Sequence, residues 1–288
     1  MKKIIFTLFA TMIAALSWAQ SPVAYTLFDK DGNKVEYRAM IEEISLQDLV
    51  FLGEIHNCPI AHWMEKLIIE DLYAIHGDKL MLGAEMFERD DQLLVNEYIS
   101  GLIPESRFKV EAKLWQNYET DYKPIIEFAK TNKLPFIATN VARRYANIVA
   151  KEGLKALDKV SEEAHAWLAP LPIEYISNPL VDAYFSHMMN PGMKKTPSTN
   201  LAEAQVVKDA TMAWSISQTL KEKFVHINGS FHSTGHAGII NYLNVYRPGL
   251  KIATIEVVRQ DQIDTLNEKS KGNADYFICV PRSMTTTY

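Results

Sequence analysis

The nine residues Phe51-Leu52-Gly53-Glu54-Ile55-His56-Asn57-Cys58-Pro59 constrain the fold of this chain more than any other stretch. Before them, Asp48-Leu49-Val50-Phe51-Leu52 is a short apolar run of strand-forming residues, and after them Pro59 opens an amphipathic stretch from Ile60 to about His76. A buried strand therefore breaks into a helix here, with Glu54 and His56 at the break. In an open α/β sheet the carboxyl end of a strand is where ligands bind.

The same rhythm recurs. Lys79 to Met86 reads as a strand with Glu85 at its carboxyl end, and Arg89-Asp90-Asp91 opens a helix to about Ser100. A helical hairpin then runs from Pro104 through Trp115, Tyr118 and Tyr122 to Thr131, and Leu134 to Thr139 is the next strand, turning into a helix through Asn140 to Arg144. Leu201 to Lys221 reads as one long helix, and Phe224 to Asn228 as a strand that leaves through Gly229-Ser230-Phe231-His232-Ser233-Thr234-Gly235-His236. A helix to about Val245 and strands at Ile252 to Val258 and Asp275 to Val280 complete the pattern. Strands alternating with helices predict an α/β fold, a mostly parallel sheet flanked by helices. Val23 to Phe28 and Val35 to Arg38, alternating about Asp29-Lys30-Asp31-Gly32-Asn33, read as a β-hairpin appended at the sheet edge.

The rhythm stops between about Gly153 and Asn200, where Pro170, Pro172, Pro179, Pro191 and Pro197 interrupt helical pieces. Residues 153–200 are thus expected to be a smaller helical insert or lid, set into a core of 20–152 and 201–288. Residues 1–19 read as a signal peptide, with Lys2 and Lys3 as the basic region, Ile4 to Leu16 as the apolar region, and Ser17-Trp18-Ala19 before the cut. That apolar run is shorter than the ~20 residues a membrane span needs. The expectation is an exported protein, periplasmic or secreted and soluble after cleavage. Lipid attachment needs a cysteine just after the apolar region, and the two cysteines are Cys58 and Cys279. Their pairing is open on sequence alone. Loss of the two lysines takes the formal charge from −5 to −7, which disfavours nucleic acid or an anionic membrane as partner.

If the strands are parallel neighbours, four exits bring Glu54 and His56, Glu85, Asn140 and Arg143, and His232 with His236 to one rim. A histidine beside a carboxylate serves as a general base, and Arg143 would hold an anion or a developing oxyanion. The same residues also suit a divalent metal, with His56 and His232 as first ligands, although no His-x-x-x-His helix motif or cysteine cluster is present. His62, His76, His165 and His226 show no such placement and read as ordinary core or surface residues, and Trp115, Tyr118 and Tyr122 at helical spacing read as packing. Tyr184, His187, Met188 and Met189 are of the types that ligate or pack against haem iron. Cys-x-x-Cys-His is absent, which excludes covalent c-type haem attachment.

Gly53-Glu54-Ile55-His56, Gly83-Ala84-Glu85-Met86-Phe87-Glu88-Arg89 with Gln92, Ala204-Gln205 with Asp209 and Met212-Ala213, and Gly229-Ser230-Phe231-His232 together resemble the ChaN family of haem-binding uptake proteins. That family is similar in turn to the Tiki/TraB and erythromycin-esterase group. The resemblance implies an exported protein that binds haem for iron uptake, pairs as a homodimer with haem near the interface, and ligates iron through a tyrosine. Tyr184 and Tyr175, with His187, are the candidates in the insert, and Tyr118 and Tyr122 those in the helical hairpin. The related groups imply the alternative, a hydrolase of esterase or metal-dependent peptidase type working through the Glu/His exits.

Overall fold

The computed structural model describes residues 23–188 and 200–288, with the side chains of 184–188 outside that description. The signal-peptide reading and Met189 therefore lie outside the described residues. Seven strands form one sheet: β1 (Thr26–Asp29), β2 (Leu49–Glu54), β3 (Leu80–Glu88), β4 (Phe136–Asn140), β5 (Lys223–Gly229), β6 (Ile252–Gln260) and β7 (Tyr276–Pro281). The helices are α1 (Tyr37–Ser45), α2 (Pro59–His76), α3 (Gln92–Ile99), α4 (Glu105–Glu111), α5 (Lys123–Asn132), α6 (Arg143–Glu152), α7 (Pro179–Met188), α8 (Leu201–Thr219) and α9 (Ile239–Tyr246).

The strand order is β1-β7-β6-β2-β5-β3-β4, parallel throughout except for β1, which runs antiparallel to β7. Every residue of β2 and β3 is buried, as expected of strands covered on both faces. Side chains alternate between two cores. Val50 and Leu52 join the core under α1, α2 and α5, while Leu49 and Phe51 join the core under α6, α8 and α9. Leu157, Leu168 and Ile173, from the proline-interrupted section, pack into that second core.

One local expectation is corrected. The chain after Gly32 (φ 86°) makes a single bridge from Lys34 to Phe28 and then turns into α1 rather than forming a second hairpin arm. Met40, Ile41 and Ile44 share one helical face and bury it completely or nearly so. That burial outweighs the strand propensity of Val35 and Tyr37. The partner of β1 is β7 instead.

The strand order positions the site. The chain leaving β2 crosses through α2 on one face to reach β3, and the chain leaving β5 crosses through α9 on the other face to reach β6. Adjacent strands β2 and β5 thus send their connections to opposite sides, which opens a crevice at their carboxyl ends.

Candidate functional site

Glu54 and Gly229 are paired in register at the ends of β2 and β5, so the crevice is lined from both strands. A cavity of about 530 Å³ opens there, lined by Glu54, Ile55, His56, Glu85, Trp115, Gln205, Lys208 and the exit-loop residues Gly229 to His232. Its size is in the range of small-molecule sites. Sequence-predicted Glu54, His56, Glu85 and His232 all meet in it. Arg143 does not line it, and its guanidinium lies 3.6 Å from Glu88 on a largely exposed side chain. The basic group at the cavity is Lys208, from α8. Asn140 supports from below, its side-chain amide donating to the Glu85 carbonyl at 3.0 Å.

Two imidazoles are each held by a carboxylate on Nδ1. His56 Nδ1 lies 2.5 Å from Glu54 Oε1, and the Tyr122 hydroxyl donates to the same oxygen at 2.7 Å. His232 Nδ1 lies 2.5 Å from Asp209 Oδ1, and its Nε2 is 3.2 Å from Glu85 Oε1. Glu85 is fixed in turn by the Gly229 backbone N–H, which donates to Oε2 at 2.8 Å. The Trp115 ring meets His56 edge-on, with centroids 4.9 Å apart.

Burial alone would raise the Glu54 carboxyl, but hydrogen bonds from His56 and His62 outweigh it and hold the group at about 2. Burial would likewise raise Glu85, yet the charge of His232 holds it well below the usual carboxylate range. Burial works against a charge on His232, and the negative charges of Glu85 and Asp209 win, lifting it to about 10. For His56 the same opposition ends in a raised value, through the Glu54 bond and the Glu85 charge. Asp209 goes up because it is buried, despite His232. The cavity floor thus sets His56, His232 and Lys208 against Glu54, Glu85 and Asp209, and the carboxylates fix the orientation of both imidazoles.

Behind this floor lies a second buried group that sequence reasoning passed over. His62, on α2, sits 3.4 Å from Glu54 Oε2, 3.2 Å from Glu65 Oε2 and 3.2 Å from Asp121 Oδ2. His62 and Glu65 are three residues apart on the buried face of α2, a spacing that a helix places side by side. Burial opposes a charge on His62, but Glu65 and Glu54 raise it to about 11, while burial and the Glu54 charge push Glu65 up to about 8. Tyr122 and Trp115, expected to be packing, are both: Tyr122 is buried against His62 edge-on and also bonds Glu54. The π-helical turn Tyr118–Tyr122 supplies Asp121 and Tyr122 together, an irregularity frequent at functional sites. Buried His226, which burial lowers to about 4, bonds Thr139 and Asn228 as a core residue.

The insert residues stand elsewhere. The Tyr175 hydroxyl donates to Asp182 at 2.5 Å and its ring lines a separate cavity with Glu203 and Leu154. The side chains of Tyr184 and His187 lie outside the described residues. Cys58 and Cys279 are both free and buried, in different core clusters.

Fold and site together define an α/β protein with a cavity of small-molecule size at the switch point of its sheet, flanked by two carboxylate-held histidines. The chain belongs to the ChaN family of haem-binding uptake proteins of the Tiki superfamily, whose model matches residues 40–243. Among solved structures it is similar to ChaN of Campylobacter jejuni, described with cofacial haem binding, at 18% identity and a TM-score of 0.66, covering 90% of this chain and 98% of that one. It is also similar to the type III effector HopBA1 (11% identity, TM-score 0.47, covering 84% and 91%) and to the erythromycin esterase EreC in an open conformation (11% identity, TM-score 0.46, covering 92% and 83%). No curated protein matches the chain. Among the described residues no helix is long and apolar enough to cross a membrane.

Proposed function

We propose that this chain is exported and binds haem in the rim cavity, serving haem or iron uptake. The observation that carries the reading is membership of a haem-binding uptake family over residues 40–243, a match that contains most of the cavity's lining. The residues present suit the group. Ile55, Trp115 and Phe231 give the cavity an apolar, partly aromatic wall, His56 offers an imidazole that is only partly buried, and Lys208 suits a propionate. Helix α7 begins beside the rim, where a side chain added at Gly235 would touch Leu180 at 3.2 Å. Tyr184 and His187, further along α7, are therefore proposed as iron ligands from the insert, with His56 as the ligand from the core. The cofacial haem of the Campylobacter relative supports pairing of two copies around the ligand.

Hydrolysis is the second reading, favoured by the pair of His56 with Glu54, the arrangement a water-activating base needs, and by His232, held as a cation by Asp209 and Glu85 on the same cavity. One experiment addresses both. Haemin is titrated into the mature protein and into Tyr184→Phe and His56→Ala variants while the Soret band is followed, and the same samples are assayed on ester and peptide substrates. A saturable Soret shift in the wild type, weakened in either variant, is the expected result. No shift in the wild type sinks the haem reading, and no turnover with or without added divalent metal sinks the hydrolase.

A further inference from the structure

We propose that Glu54, His62 and Glu65 form a buried site for one divalent transition metal of the zinc class, lying behind the rim cavity and separate from the ligand bound there. Donor atoms of the three residues all lie within 4.8 Å of one another, and all three residues are buried.

The tautomer of His62 makes the case. Its Nε2 lies 3.1 Å from the carbonyl oxygen of His56 and 3.2 Å from Asp121 Oδ2. Both of these oxygens accept, so Nε2 carries the hydrogen. Asn117 reinforces this by donating from Nδ2 to the same two oxygens, at 3.0 and 2.7 Å. Nδ1 faces Glu54 Oε2 and Glu65 Oε2, and the hydrogen it shares with these carboxylates is the one a metal would displace, taking the Nδ1 lone pair in its place. With that one proton displaced, three lone-pair donors converge on a single point. A metal-binding histidine whose other ring nitrogen is held by a carboxylate has this same construction.

A second, independent observation points the same way. Glu54 Oε2 and Glu65 Oε1 are buried with no hydrogen-bond partner, on residues only 2% and 3% exposed. Buried acceptors are rarely left so, because desolvation without a partner costs free energy. The neighbouring oxygen of Glu54 is already engaged by His56 and Tyr122, so Oε2 is the one held open.

Space decides the class of ion. The void of about 10 Å³ beside Glu65 is otherwise walled by apolar residues such as Leu52, Ile68 and Ile255 and has room for at most one water. Calcium and magnesium demand six or more oxygen ligands or several retained waters. Zinc is satisfied by three protein donors and one water, of oxygen and imidazole type. The two carboxylates also match its double charge.

The test uses the mature protein, stripped with chelator and dialysed against Zn²⁺, with bound metal counted by elemental analysis. Expected are one equivalent in the wild type, less than a tenth of that in Glu65→Gln and His62→Gln, and full retention in His232→Ala, which removes a cavity histidine outside the donor set. Should the substitutions at 62 or 65 unfold the chain, Co²⁺ in the wild type still reports, since visible bands of a four-coordinate oxygen–nitrogen site are expected on stoichiometric addition. Absence of saturable Zn²⁺ uptake, a six-coordinate Co²⁺ spectrum, or loss of metal in His232→Ala with retention in His62→Gln would each overturn the assignment. Haem binding is read separately, so its failure leaves this result intact.

Discussion

Gly229 shows how finely the rim is fitted. Its N–H fixes Glu85, and a Cβ built on it would fall 2.8 Å from both Cε1 and Nε2 of His56. No real contact is so short, and the His56 side chain, about one-third exposed, is the neighbour free to give way. Gly229→Ala is expected to keep the fold, at a cost of about 1–3 kcal/mol for overpacking, while swinging His56 off Glu54. Haem affinity or turnover should then fall at least tenfold, read by titration and assay, and an unchanged value would remove His56 from the site. Glu54, His56, Glu85 and His232 were legible in the sequence because each follows an apolar run. His62 and Glu65 were not, because on an amphipathic helix a buried charged pair reads like a solvated face until tertiary contacts are known. Arg143 stood at the right kind of junction, yet α6 carries it outward to Glu88 while Lys208, mid-helix and unmarked by any junction, reaches the cavity.

At the scale of elements, α8 is more than a cover for the sheet, since it delivers Asp209 to His232 at the exit of β5. Asp209 was visible only as part of a family motif, because nothing in a helical pattern says which strand end a helix will cross. The pair makes stability depend on pH. His232 rises from its ordinary 6.5 to about 10 on folding, so its contribution is fully present below about 6.5 and is lost as pH rises through about 10. Glu85 shifts the other way, and its contribution is present above about 4.5 and lost on acidification. Thermal melts should therefore peak in mildly acidic solution and decline toward pH 10, at up to about 1.4 kcal/mol per pH unit for one proton. In Asp209→Asn the imidazolium loses a partner. The variant should be destabilised by on the order of 3 kcal/mol near neutrality, and its alkaline decline should end at lower pH and be smaller in total. An unchanged pH profile would show that Asp209 does not hold the charge on His232. Element types were otherwise well marked by periodicity, and the first ribbon failed because four residues of alternation cannot outweigh the helical face of Met40, Ile41 and Ile44.

The whole molecule turns on the strand order, which periodicity could not supply. Alternation predicted parallel strands, but only tertiary structure puts β5 between β2 and β3 and so joins two exits far apart in sequence across one crevice. The same topology separates the two cysteines. Cys58 caps α2 and packs with Met64 and Ile68, whereas Cys279 lies in β7 and packs with Phe28 and Phe277. Export would carry the chain into a compartment where thiols within reach become disulfides, so the cysteines test the topology under real pressure to pair. Burial pushes the Cys279 thiol up to about 11, leaving almost no thiolate at neutral pH, and reactivity follows the thiolate. Protein recovered from the exported fraction without reductant should therefore show almost no thiol toward a disulfide reagent while native, and two per chain once denatured. Two thiols in the unfolded chain would agree with the packing of Cys58 and Cys279 in separate cores. None, with a monomer mass lower by two hydrogens and a faster-migrating band without reductant, would mean that β7 and the start of α2 approach each other in a way this sheet order forbids.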